Sequence, residues 1–323
     1  MTSLNLGTRG SQLALFQANT VAALLAARAG VACEIVVIRT SGDRLAEAPL
    51  SEVGGKRLFV KEIEDALIAR AVDVAVHSAK DMPAALAEGL VVAAALPRDD
   101  PRDAFIKRGS SRIDTDSNQT ALSELCALRE AFAGGQTIGT SSVRRTAQLH
   151  TLFPRASFAP IRGNVDTRLR KLDEGGYDAL VLAAAGLRRL GLGARITTVL
   201  PVEHCVPAPG QGIIAIETRA DDRSTQRILE PLNDARAASS LRAERALVAA
   251  LGGGCQIPLG GLALHDGGSL EMHAVVATPD GRRILKRRGR APVAEAESLG
   301  QRIAEELVRD GASAILEAVR KES

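Results

Sequence analysis

Leu4-Asn5-Leu6-Gly7-Thr8-Arg9-Gly10-Ser11 is the stretch that decides how this chain begins to fold. Residues 4–7 form a short apolar strand candidate, and a helix starts at about Ser11. In that helix Leu13, Phe16, Val21, Leu24 and Leu25 fall mostly on one face. Gly139-Thr140-Ser141-Ser142 repeats the plan, closing a strand and opening a helix. Each turn offers hydroxyl caps and free backbone N–H groups at a helix N-terminus, a natural place for an anion. Capping alone accounts for one such turn. With Arg9 beside the first and Arg144 and Arg145 beside the second, anion binding stands level with capping.

Working outward, the same alternation fills the first two-thirds of the chain. Strands are expected over 34–39, 73–76, 90–95, 137–139, 157–161 and 178–182. Helices are expected over 60–70, 143–152, 165–172 and 184–190. Such alternation implies parallel sheets with crossover helices. Arg98-Asp99-Asp100-Pro101-Arg102-Asp103 interrupts it and reads as a domain crossing. Residues 109–120 read as a polar surface loop and 122–132 as a short helix. The last hundred residues differ. A helix over 235–251 precedes strands over 259–264, 269–278 and 282–288, joined by turns at Asp266-Gly267-Gly268 and Pro279-Asp280-Gly281. One final helix carries Leu299, Ile303, Leu307, Ala312, Ile315 and Val319 along a stripe. The fold class is α/β, followed by a small α+β unit with a three-stranded antiparallel sheet.

Bulk properties narrow the function. With 323 residues there is room for two or three domains. Hydrophobic content of 46% and charged content of 24% are ordinary for a soluble globular protein. The formal charge of +3, no Trp, one Tyr and six Phe argue against a nucleic-acid partner. No apolar run reaches the length of a membrane span. The N-terminus lacks a basic region followed by an apolar one, so a cytoplasmic location is expected. Cys33, Cys126, Cys205 and Cys255 are scattered, with no zinc-type spacing and no metal site expected.

Several motifs can carry chemistry. His77-Ser78-Ala79-Lys80-Asp81-Met82-Pro83 follows the apolar run Val74-Ala75-Val76, where sites gather at strand C-terminal ends. Lys80 and Asp81 there make either a surface ion pair or an anion hook beside a carboxylate that stabilises a cation or moves a proton. His77 reads better as a hydrogen-bonded structural histidine than as a base. Lys56 and Arg57 sit in Gly54-Gly55-Lys56-Arg57, either a solvated loop or a cationic one. Arg9, Arg144, Arg145, Arg162 and Arg168 lie in or beside strand-to-helix turns, and the arginine fork matches carboxylates. No GxxxxGK[ST] or GxGxxG is present, so a polycarboxylate ligand suits them better than a phosphate. Gln211, in Pro209-Gly210-Gln211-Gly212, either turns the chain into a strand or offers an amide to a ligand at a domain crossing. The basic run 282–290 reads as a solvated strand face. Cys255, in Gly252-Gly253-Gly254-Cys255-Gln256-Ile257-Pro258, places a thiol on a tight glycine-rich turn that packing alone does not require.

In order and over nearly the whole chain, these motifs resemble those of the porphobilinogen deaminase (hydroxymethylbilane synthase) family. The matching pieces include Thr8-Arg9-Gly10-Ser11, Leu58-Phe59-Val60-Lys61-Glu62, His77 to Pro83, Gly139 to Arg145, Arg162-Gly163-Asn164-Val165, Pro209 to Gly212 and Gly253-Gly254-Cys255-Gln256-Ile257-Pro258. The resemblance implies two periplasmic-binding-protein-like α/β lobes, 1–100 with 200–219 and 101–199, and a third domain over 220–323. It implies an enzyme that joins four porphobilinogen molecules head to tail into hydroxymethylbilane with loss of ammonia, in tetrapyrrole (heme-type) biosynthesis. A dipyrromethane cofactor would be attached to Cys255 through a thioether, and Asp81 would be the catalytic carboxylate. Arg9, Ser11, Lys56, Lys80, Ser142, Arg144, Arg145, Arg162, Arg168, Arg189 and Gln211 would bind the cofactor and substrate carboxylates. A monomer acting on a small molecule, with no nucleic acid and no membrane, is expected. The chain departs from the family in carrying Arg57 where a small residue is common, and in a longer segment over 109–135.

Two readings from other classes compete. A non-enzymatic two-lobed binding protein explains the arginines but not Cys255. A cysteine-nucleophile hydrolase needs a histidine base near that thiol, with His204 and His265 the candidates in sequence.

Overall fold

The computed structural model describes residues 3–41, 60–109, 118–252 and 257–322. Strands β1 (Ser3–Thr8), β2 (Ala32–Val37), β3 (Val74–Ser78) and β4 (Leu90–Ala95) come first. The chain then crosses to β5 (Asp103–Lys107), β6 (Thr137–Gly139), β7 (Ser157–Ala159), β8 (Ala179–Ala183) and β9 (Thr198–Val199). It returns with β10 (Ile214–Arg219) and ends with β11 (Leu259–Asp266), β12 (Ser269–Ala277) and β13 (Ile284–Pro292). Three sheets result, ordered β2-β1-β3-β10-β4, β7-β6-β8-β5-β9 and β11-β12-β13.

The first two sheets share one plan, which differs from the all-parallel expectation. β1 pairs parallel with β2 and β3, but β10 runs antiparallel between β3 and β4. β6 pairs parallel with β7 and β8, but β5 runs antiparallel between β8 and β9. Each antiparallel strand is the first one formed after the chain crosses from one sheet to the other. The second strand of that kind, β5, begins inside the run read as a breaker. Its polar first residue, Asp103, is fully buried, with Ala104, Phe105 and Ile106 behind it.

Local chemistry fixes the helices that frame the site. Ser11 caps the Gln12–Ala29 helix by accepting from Ala14 N at 3.3 Å, and Gly30 closes it at φ 65°. Val21 and Leu25 on its inner face meet Leu4, Leu6, Val74, Val76, Ile214 and Ile216 of the sheet. Ser142 caps the Val143–Leu152 helix by accepting from Arg145 N at 3.4 Å. In the C-terminal unit the Ala235–Ala250 and Ala296–Arg309 helices cover the antiparallel sheet around Leu247, Leu270, Met272, Leu299 and Ile303. The expected single last helix is two, Ala296–Arg309 and Ala312–Glu322, because Gly311 takes φ 97° and ends the first. The apolar stripe runs on across the break, so both pieces pack on one core. The basic strand β13 is laced with ion pairs, Arg287 to Asp310, Arg288 to Glu271 and Arg290 to Asp266.

The two crossings lie side by side. Asp99 N donates to Gly212 O at 3.0 Å, and Leu96 N to Ile214 O at 3.0 Å. Glu244, fully buried on the Ala235–Ala250 helix, joins both to the C-terminal unit. It accepts from Arg98 Nη2 at 2.7 Å, from Gly210 N at 2.6 Å and from Ala263 N at 2.8 Å. The 279–281 turn also leans on the Val143–Leu152 helix, where a side chain at Gly281 would collide with the Ala147 carbonyl. The C-terminal unit therefore touches both sheets through their shared crossings.

Candidate functional site

A cleft of about 210 Å³ opens where these three units meet. Its wall combines Lys80, Asp81, Ser142, Arg144, Arg145 and Gln211 with Arg245 and the apolar Leu241, Val248, Ile257 and Leu259. Lys80 and Asp81 sit on a single turn of 3₁₀ helix, Ala79–Asp81, directly after β3. Ala79 N is tied to Ile213 O at 3.0 Å. Gly210 presses on this turn: at φ 76°, a Cβ there would lie 2.8 Å from Ala79 C and 2.9 Å from Lys80 N. Only glycine allows that approach. Arg245 holds the far side of the turn, donating to Pro83 O at 3.0 Å and Ala84 O at 2.9 Å. Beneath it His77 Nε2 lies 3.0 Å from Glu217 Oε2, both buried, which matches the structural role read for His77.

The electrostatics of the cleft are cationic around one carboxylate. Burial brings Lys80 down to about 8, opposed by Asp81 and Asp103 and reinforced by Arg145 and Arg144. Lys80 Nζ donates to Gln211 Oε1 at 3.4 Å. Burial also brings Arg168 down to about 10, with Arg145 and Arg162 pushing the same way and Asp81 opposing. Arg168 Nε donates to Gly163 O at 2.8 Å, which turns its head back over the loop after β7. Asp81 thus acts on both Lys80 and Arg168, and Arg145 is felt by both.

The five arginines read as equivalent are not equivalent in the structure. Arg144 Nη1 donates to Asp103 Oδ2 at 2.8 Å and to Val206 O at 2.7 Å. Arg145 donates to Asp103 Oδ1 through Nη2 at 2.8 Å and Nε at 3.0 Å, and to Val181 O at 3.0 Å. Both are buried, and a protein carboxylate already faces them. Gln211 is likewise engaged, with Nε2 donating to Pro101 O at 2.7 Å and Asp103 Oδ1 at 2.9 Å. Arg189 binds the crossings, donating to Gly212 O at 2.6 Å beside Asp99. Ser11 serves its helix cap, and Arg9 stands on the turn after β1. Lys56 and Cys255 lie outside the described residues, as does Arg57.

Three polar residues at the heart of this arrangement were not singled out from sequence: Asp103, Glu244 as an anchor, and Arg245 in the cleft. Asp103 lies in an Asp/Arg-rich run that reads as solvated loop. Glu244 and Arg245 stand just before the cysteine turn, with no spacing to mark them. Neither His204 nor His265 is among the described residues lining the cleft, so the cleft gives the hydrolase reading no support. His265 instead contacts Ser239 Oγ at 2.9 Å and Arg236 O at 3.0 Å.

Along nearly its whole length the chain is similar to known proteins. The family model described as porphobilinogen deaminase, dipyromethane cofactor binding domain, matches residues 4–227. The model described as porphobilinogen deaminase, C-terminal domain, matches residues 238–309. Relatives named porphobilinogen deaminase include one from Acidithiobacillus ferrooxidans (strain ATCC 53993 / BNL-5-31), 49% identical over 98% of each chain. Another, from Syntrophobacter fumaroxidans, is 44% identical over 98% of this chain and 97% of its own. A third, from Desulforudis audaxviator, is 46% identical over 97% of each. Among solved structures, the second substrate-binding domain of a putative amino acid ABC transporter from Streptococcus pneumoniae is similar over 78% of this chain and 95% of its own, at 12% identity and TM-score 0.42. The chain belongs to the porphobilinogen deaminase family.

Proposed function

We propose that this chain joins four porphobilinogen units head to tail into hydroxymethylbilane, releasing ammonia, with a dipyrromethane held through Cys255 and Asp81 as the catalytic carboxylate. One observation carries the reading: Ile257, two residues from Cys255, lines the same cleft as Lys80 and Asp81. Two residues of extended chain reach no more than about 7 Å. The cleft suits the group. Apolar Leu241, Val248, Ile257 and Leu259 offer a wall for flat rings, and Lys80, with Arg168 in the field of Asp81, offers cations for acetate and propionate arms. Bound there, a dipyrromethane supplies the nucleophilic pyrrole carbon from which the product grows.

The remaining chemistry falls to the chain's own side chains. Lys80 and Arg168 grip carboxylates, each charge-assisted hydrogen bond contributing about 1.5–3 kcal/mol. Asp81 is the one carboxylate among the described residues on the cleft wall, and it would stabilise positive charge developing on a pyrrole nitrogen as ammonia leaves. The same carboxylate can take the proton released when the new carbon–carbon bond forms. We propose a monomer, because the described cleft lining already combines groups from all three units of the chain. Cys205, a buried free thiol, suits a reducing cytoplasm. Among the described residues no helix is long and apolar enough to cross a membrane.

Intact-mass measurement tests the attachment: the native protein should carry the added mass of two linked pyrroles, and Cys255→Ala should carry none. A fully active, unmodified native protein would overturn it. Asp81→Asn keeps shape and loses charge. It should keep its fold and its attached group while single-turnover rates fall by orders of magnitude, and Asp81→Glu should keep measurable activity. Near-normal turnover by Asp81→Asn would move the role to another residue.

A further inference from the structure

Asp103 is the most heavily engaged carboxylate among the described residues near the cleft, and nothing in the reaction above uses it. It is fully buried at the first position of β5. Oδ2 accepts from Arg144 at 2.8 Å and from the Cys205 thiol at 3.4 Å. Oδ1 accepts from Arg145 at 2.8 and 3.0 Å and from Gln211 Nε2 at 2.9 Å. These donors come from the helix after β6 and from the return crossing, so one carboxylate ties β5 to two other stretches of chain. Gln211 is also the acceptor for Lys80 Nζ, which places Asp103 one residue removed from the lysine beside the catalytic aspartate.

We infer that Asp103 is a positioning residue for this reaction: by clamping Arg144, Arg145 and Gln211 around one carboxylate, it offsets two arginine charges that would otherwise face Lys80, and so keeps Lys80 a charged hook beside Asp81. A buried arginine pair without a counter-ion would be costly to hold in the fold and would repel any further cation in the cleft. With Asp103 present, the hub carries three ionised groups whose sum is a single positive charge. The pKa directions fit that balance. Burial would raise the Asp103 carboxyl, but the two guanidiniums hold it well below the usual carboxylate range, so it stays ionised at working pH. Burial would lower Arg144, but Asp103 more than offsets it. Burial, with Asp103 acting the same way, pushes the Cys205 thiol up to about 12, so it stays a neutral donor. The charged groups acting on Lys80 are Asp81 and Asp103, which favour its proton, and Arg145 and Arg144, which oppose it.

The inference rests on the reading of Lys80 as the carboxylate hook, but its test does not. Lys80 titration is measured without substrate, from the pH dependence of its acylation by acetic anhydride, read by peptide mass spectrometry. Asp103→Asn should lower the Lys80 titration midpoint, raising its acylation rate near neutral pH at least about threefold, the equivalent of half a pKa unit. Arg144→Gln should move the midpoint the other way. The double variant Asp103→Asn with Arg144→Gln should titrate at a lower midpoint than Arg144→Gln alone, which isolates the Asp103 charge if the single aspartate variant folds poorly. Circular dichroism on each variant separates charge effects from unfolding. A wild-type Lys80 midpoint in folded Asp103→Asn, or a midpoint in the double variant equal to that of Arg144→Gln alone, would overturn the inference. A shifted midpoint with unaltered porphobilinogen binding would overturn Lys80 as the hook and with it the positioning role of Asp103 in this reaction, whereas an unshifted midpoint overturns the charge coupling alone.

Discussion

Replacing Gly210 by alanine should damage the reaction from a residue that never meets substrate. The glycine sits at φ 76°, where an L-residue pays roughly 1–2 kcal/mol. Its new methyl would lie 2.8 Å from Ala79 C, 2.9 Å from Lys80 N and 3.0 Å from Ala79 Cβ, against ordinary contact beyond about 3.4 Å. Two of those atoms are main chain, so relief requires moving the peptide that leads into Lys80 and Asp81. Overpacking of that kind costs roughly 1–3 kcal/mol. Together the terms predict a loss of about 2–5 kcal/mol. The turn would shift by several tenths of an ångström, on a scale where 1 Å of misplacement costs about a hundredfold in rate. Urea unfolding should show a lower midpoint with an unchanged slope. Single-turnover assays on protein carrying its attached group should show about a four- to thirtyfold slower chemical step. A variant within about 0.5 kcal/mol of wild type that turns over normally would show that the close packing of Gly210 on this turn does not position Asp81.

Two further outcomes follow from buried charges. Lys80 titrates near 8 against an ordinary 10.5, so porphobilinogen binding should weaken as pH rises through about 8, and Lys80→Arg should flatten that limb; a KM profile from pH 6 to 10 checks it. The stability contribution runs the opposite way: the folded chain holds this proton less tightly than the unfolded one, so stability from this group rises between pH 8 and 10.5. Glu244→Ala strips a buried partner from Arg98, whose Nε and Nη1 are already buried without partners, and from the N–H groups of Gly210 and Ala263. It should cost about 3–5 kcal/mol in urea unfolding, and a loss under about 1 kcal/mol would refute the anchor role.

Much of the layout was legible in the sequence because the βα pattern is regular. Strands around Val76 and Val181 carry near-continuous apolar runs, and Ser11 and Ser142 mark helix starts by their hydroxyls. β5 was missed because its first residue is an aspartate in a charged run, and nothing in a linear pattern says that two arginines forty residues on will neutralise it. β9 has two residues, too few for any period. Gly311 was absorbed into one helix because the apolar stripe continues across it. In the site, the Lys80-Asp81 turn was found from its place after a buried strand. The arginines were found as a class, but a sequence does not reveal which way a guanidinium points. Only coordinates separate Arg144 and Arg145, turned inward onto Asp103, from Arg168, which shares the field of Asp81.

The place of β10 has a consequence for how the polypeptide is made. The second sheet is built wholly from residues 103–199, a contiguous stretch that can close as soon as it has left the ribosome. The first sheet cannot, because the strand lying between β3 and β4 arrives only with residues 214–219. Until then both neighbours present unpaired edges, the kind of surface that recruits other chains. The sheet translated first is therefore completed only after the second one, a long sequence separation that slows closure. A ribosome that stalls after the second sheet leaves a nascent chain with one finished half and one aggregation-prone half, so this architecture leans on steady synthesis or on chaperones through that interval.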